Sequence, residues 1–246
     1  MFIFRFAVFL TAMVILFSSI SASAQASSFP QMDHATEASR RRLQEDILAR
    51  YGIIVANRTA EWSMDELASV QAGLDSIAAE FSAIAGHDAT SALKELLQGA
   101  VFYRDRGSDR IAYTIGGVVY VYDYWTTFDE TGRAFYLAHE IGHLLDTRSS
   151  LLHLFMGEVS DEFARAVGAY NDEKNHYQLG QNFPHHDTPG SIRHRSDSAS
   201  EDWAESFATV VVPKFESNLR DIGDARQSQV CQRLYQWSVL SAYAAD

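Results

Sequence analysis

His139 and His143 stand four residues apart, with Glu140 directly after the first, in the run His139-Glu140-Ile141-Gly142-His143. On a helix, positions i and i+4 stack on one face. The two imidazoles can then close on one divalent metal ion. Glu140 projects beside them, where its carboxylate can take a proton from a metal-activated water. The chemistry these residue types offer is metal-assisted hydrolysis, and Zn²⁺ is the expected ion.

A catalytic zinc takes three protein ligands and keeps a further position open. One extension of the pattern places a third histidine six residues after the second, following a glycine. Here those positions hold Ser149 and Asp146, so that solution is excluded. A glutamate from a second helix is the other common solution, and there are two candidates. Glu201 and Glu205 share a helix face at i and i+4, beside the apolar anchors Trp203, Phe207 and Val211. One carboxylate can bind the metal. The other can accept the outer N–H of a ligating histidine and fix its tautomer. Glu162 is the alternative ligand, with Glu158 four residues before it. There, acids at a helix N-terminus are also expected simply as a solvated first turn. His185, His186 and His194 fall in a polar loop, which suits either a second metal or substrate lid, or plain exposure to solvent.

These side chains need elements to hold them. Ser63-Met64-Asp65-Glu66 is a capping box and opens a helix, along which Leu67, Val70, Leu74, Ile77 and Phe81 recur at helical spacing. A further helical patch runs over 92–97. Short strands are expected at 52–55 and 100–103, and a hairpin at 110–124 turns at Gly116-Gly117. Its second arm, Val118 to Tyr122, is expected to form the upper edge of the cleft, where an extended substrate could add as a further strand. Thr127-Phe128-Asp129-Glu130 is a second capping box, starting the helix that carries the two histidines. Gly142 is costly inside a helix, by about 1 kcal/mol, and a close backbone neighbour would explain it. Helices are expected over 160–170, capped by Ser160 or Asp161, and over 198–212, stopped by Pro213. A last helix over 226–244 would bury Val230, Leu234, Trp237 and Leu240. The polar stretch between, 171–196, reads as a long functional loop.

Arg5 is the only charge before an apolar run from Phe6 to Phe17, and small residues follow at Ala22-Ser23-Ala24-Gln25-Ala26. This reads as a secretory signal over residues 1–26, cleaved on export to a secreted or periplasmic location. The apolar run is short for a membrane span, which needs about 20 residues. No stable membrane insertion is expected after cleavage. Residues 27–246 suffice for a single domain, with one lobe at about 50–147 and another at about 148–246. The net charge of −12 argues against nucleic acid as a partner. Cys231 is the sole cysteine, so no internal disulfide is possible; its apolar neighbours mark it as a buried small hydrophobe. Arg40-Arg41-Arg42 reads as a solvated helix face, with a processing site as the alternative.

H-E-x-x-H followed by Glu201-Asp202-Trp203-Ala204-Glu205-Ser206-Phe207-Ala208 resembles the gluzincin-like zinc metallopeptidases, the group of the anthrax lethal factor protease domain and the secreted bacterial Pro-Pro endopeptidases. The resemblance covers 139–143 and 201–208, with a similar order of elements from about 53 to 212. It implies a zincin-like α+β fold: a small mixed sheet, an active-site helix and a mainly helical C-terminal lobe. It implies Glu201 as the third zinc ligand, Glu205 as its partner behind the site, and a protein or peptide substrate. Family members place a tyrosine seven residues before the ligand glutamate, where it stabilises the oxyanion. His194 stands there in this chain, and Tyr170 and Tyr177 are the alternative donors. The competing function is an exported zinc-binding interaction protein that keeps the fold without proteolysis.

Overall fold

Ser63 and Glu66 form the reciprocal cap that their spacing predicts. The Ser63 hydroxyl accepts from the Glu66 amide at 3.2 Å, and the Glu66 carboxylate accepts from the Ser63 amide at 2.7 Å. The helix they open, Met64–Ala85, buries Leu67, Val70, Leu74, Ile77 and Phe81 completely. The structure is a computed structural model and describes residues 34–107, 110–152, 158–180, 197–213 and 222–244. The expected signal segment and His185, His186 and His194 lie outside the described residues.

The order of elements is α1 (His34–Tyr51), β1 (Ile54–Asn57), α2 (Met64–Ala85), α3 (Thr90–Leu97), β2 (Val101–Arg104), β3 (Ala112–Ile115) and β4 (Val118–Val121). A 3₁₀ turn, Asp123–Thr127, leads into α4 (Glu130–Leu152) and α5 (Val159–Val167). A two-stranded ribbon, β5 (Tyr170–Asn171) and β6 (Tyr177–Gln178), precedes α6 (Ala199–Val211) and α7 (Asp224–Ala244). The fold is α+β, and His34–Asp246 form one compact unit. Among the described residues, no helix is long and apolar enough to cross a membrane.

The main sheet has the order β1-β2-β4-β3. β1, β2 and β4 run parallel, and β3 runs antiparallel to β4. The Gly116-Gly117 turn has φ of 58° and 85°, the left-handed pair that a two-residue hairpin demands. Phe102, Val119 and Val121 are buried from the strands. α4 packs between α2 and α6, and Trp203 of α6 gathers Phe163, Phe207 and Trp237 at ring distances of 5.6–6.1 Å. That aromatic cluster fixes α5, α6 and α7 together. Arg41 and Arg42 are exposed on α1, while Arg40 pairs with Glu37 and Glu61.

Several local expectations need correction. Thr127 does not cap α4: its hydroxyl donates to the Tyr124 carbonyl within the 3₁₀ turn. Asp129 takes over, accepting from the Gly132 amide at 2.8 Å. Neither Ser160 nor Asp161 caps α5; the Ser160 amide is satisfied by Asp146 of α4 at 2.9 Å. α5 also stops at Val167, where Gly168 is left-handed. Leu240 is 56% exposed, because the face of α7 that meets the core is set by Val230, Leu234 and Trp237. Cys231 is half-buried. The arm Val118–Val121 is not an edge, since β2 and β3 pair with it on both sides. Among the described residues, the sheet edge beside α4 belongs to β3.

Candidate metal centre

His139 and His143 sit on the middle of α4, where Phe135, Ala138, Ile141, Leu144 and Leu145 bury the opposite side of the helix. Ser198 caps α6 by accepting from the Glu201 amide at 3.2 Å, which sets the first turn of that helix facing the histidines. The two helices touch at Gly142. A Cβ there would lie 2.8 Å from Ala204 Cα, so the close backbone neighbour expected from the sequence is Ala204. The Trp203 indole also donates to the Gly142 carbonyl at 2.9 Å.

This crossing brings His139, His143 and Glu201 into one cluster that can hold a metal ion. The two Nε2 atoms are 3.1 Å apart, and Glu201 Oε2 lies 3.2 Å from the first and 3.4 Å from the second. Ligand atoms at about 2.0–2.2 Å from a tetrahedral zinc are separated by about 3.3–3.6 Å. The triangle therefore has nearly the size of one face of such a tetrahedron. The outer nitrogens are also committed. His139 Nδ1 donates to Glu205 Oε2 at 2.9 Å, and His143 Nδ1 donates to the Ser200 hydroxyl at 3.1 Å. With both outer nitrogens acting as donors, both Nε2 atoms are left facing the Glu201 carboxylate, where a proton or a metal ion can sit between them. Three donor atoms at this spacing can hold a metal ion.

Electrostatics agree with the geometry. His139 is 5% exposed, and burial alone would lower its pKa. Hydrogen bonds to Glu201 and Glu205, with the Glu205 and Glu140 charges, outweigh that and push it up to about 10. The donor set thus favours positive charge at this point, as a proton or as a metal ion.

Glu140 is buried, and its Oε2 accepts from the Thr114 hydroxyl at 2.6 Å. Thr114 lies on β3, so the edge strand holds the carboxylate beside the cluster. A cavity of about 630 Å³ opens here, bounded by Ala112, Tyr113 and Thr114 on β3 and by Tyr124, Tyr136 and Thr147 across it. Tyr124, Phe128 and Tyr136 form a contiguous aromatic group, with centroids 5.4 Å and 4.6 Å apart.

The other sequence candidates lie elsewhere. Glu162 pairs with Arg233 of α7 and is not part of the cluster. Tyr177 is buried and donates its hydroxyl to Asp202 at 3.0 Å. Tyr170 is 57% exposed on β5 and does not line the cavity. His194 falls outside the described residues. Three residues escaped the sequence reading: Thr114, Ser200 and Asp146. Thr114 carried only a weak signal, a hydroxyl amid the apolar residues of a hairpin arm. No family model, no curated protein and no solved structure matches the chain.

Proposed function

We propose that the protein is a zincin-like, zinc-dependent endopeptidase of the gluzincin type, exported by its N-terminal signal. The observation that carries this reading is the triangle of His139, His143 and Glu201, with Glu140 held next to it at the floor of an open cleft. When bound, a zinc ion supplies Lewis acidity toward a carbonyl and acidifies water. The chain's own groups do the rest. Glu205 fixes the His139 tautomer and orients the ring. Thr114 occupies one lone pair of Glu140 Oε2, which keeps the carboxylate aimed into the cleft and leaves it able to accept a proton from water. Glu140 then returns that proton to the leaving amine.

Among the described residues no strand pairs with the outer edge of β3, and an extended peptide would add there as a further strand along the cleft. Of the oxyanion donors expected from the sequence, Tyr177 has its hydroxyl engaged by Asp202 and Tyr170 lies off the cleft, and His194 falls outside the described residues.

The test is a peptide-library digestion by the wild-type protein and by Glu140→Gln, each with measured zinc content. Loss of the general base should lower hydrolysis by about 10²–10⁴-fold with one zinc retained per chain. Wild-type rates in the variant, or hydrolysis that survives chelation, would overturn the mechanism. Bound zinc without cleavage of any peptide would favour the non-proteolytic interaction protein.

A further inference from the structure

His143 differs from His139 in what stands behind it. His139 meets a carboxylate directly, whereas His143 meets the Ser200 hydroxyl, 3.1 Å from its Nδ1. Ser200 in turn donates to Asp146 Oδ2 at 3.0 Å. A hydroxyl has one proton, and a carboxylate only accepts. Ser200 must therefore accept from His143, which puts that ring's proton on Nδ1 and its lone pair on Nε2. Asp146 is 4% exposed and cannot swing away, because its other oxygen accepts from the Ser160 amide at the start of α5.

We propose that Ser200 and Asp146 are positioning residues that set the tautomer of His143 for metal binding. This rests on the metal-site reading above. Asp146 lies one turn beyond His143 on α4, and Ser200 immediately precedes Glu201 on α6. The relay therefore spans the same helix crossing as the ligands. It also has a sense that can be reversed. In Asp146→Asn the side-chain oxygen stays pinned by the Ser160 amide, so the new NH₂ faces Ser200. Ser200 accepts from it, and its own proton, no longer taken by a carboxylate, can turn onto His143 Nδ1. The ring proton moves to Nε2 and points into the metal position.

The experiment measures zinc affinity by chelator competition and the His143 tautomer by long-range ¹⁵N NMR of the metal-free protein. Ser200→Ala should weaken zinc binding by about 10–100-fold, the usual effect of removing a partner behind a metal ligand. Asp146→Asn should weaken it at least as much and show the proton on Nε2, whereas the wild type shows it on Nδ1. Ser200→Thr, which keeps the hydroxyl, should restore affinity to within about threefold, since the hydroxyl partner is retained. Folded Ser200→Ala and Asp146→Asn proteins with wild-type affinity would overturn the proposal. So would a wild-type His143 that carries its proton on Nε2. A wild-type protein that binds no zinc would instead refute the metal-site reading, and the tautomer measurement would still decide the relay.

Discussion

Gly142→Ala reverses the usual sign of a helix substitution. In an isolated helix the change would stabilise by about 1 kcal/mol. Here the added Cβ would lie 2.8 Å from Ala204 Cα, 3.2 Å from Ala204 Cβ and 3.3 Å from the Ala204 carbonyl oxygen. Carbon atoms pack at about 3.5–4.0 Å, so α4 and α6 would have to part by about 0.7 Å. The nearest atom is backbone, not the end of a flexible side chain, and cannot step aside alone. Overpacking of this kind costs about 1–3 kcal/mol. Set against the helix gain of about 1 kcal/mol, the net loss is about 0–2 kcal/mol.

The proposed ligands amplify the effect. His139 and His143 belong to α4 and Glu201 to α6, so parting the helices stretches the 3.2 Å and 3.4 Å edges and leaves the 3.1 Å edge alone. On the proposed zinc-site reading, zinc affinity should fall by tenfold or more, in line with disturbed support of a ligand set. Urea unfolding of the metal-free protein and chelator competition read the two effects separately. A variant that gains about 1 kcal/mol, as a free helix would, and binds zinc as the wild type does would refute the close-approach account.

Arg226→Ala should destabilise by about 3–5 kcal/mol in urea unfolding, because it strands the buried Asp202 carboxylate that Arg226 holds at 2.7 Å and 2.9 Å; a loss under about 1 kcal/mol, the scale of an exposed pair, would refute this. The Thr59 hydroxyl, opposed by burial and helped by the Arg106 amide and the Arg58 charge, holds the Asp105 carboxyl below its usual 3.8. That stability is fully present above the unfolded value and is lost as pH falls through the lower folded one. Asp105→Asn should therefore flatten the acid limb of unfolding below about pH 4, and an unchanged limb would sink the assignment.

The helix carrying His139 and His143 was legible because its chemistry and its apolar side share one period. Glu201 and Glu205 were legible as an acid pair set among core anchors. The Gly142 contact was legible as a propensity penalty without a local cause. What failed was choice between equivalent local patterns. Thr127 and Asp129 both suit a cap, and the 3₁₀ turn claimed the threonine hydroxyl first. Glu158 and Glu162 repeat the spacing of Glu201 and Glu205, yet Arg233, distant in sequence, turned Glu162 into an ion pair. Thr114, Ser200 and Asp146 gain their roles only from what lies opposite them, and no local spacing records that.

The same reasoning explains why one helix crossing bears so much. Trp203 bonds the Gly142 carbonyl, Ala204 fills the space that the missing side chain leaves, and Glu201 and Glu205 lie on the face that this contact presents. A metal ion at the triangle would tie α4 to α6 in a chain whose single cysteine forbids a disulfide. Because such an ion binds the folded form and finds no prepared site in the unfolded chain, its binding free energy adds to folding stability. With such an ion bound, packing at Gly142 and ligation at Glu201 would be one coupled equilibrium: whatever opened the crossing would weaken the site, and filling the site would resist the opening.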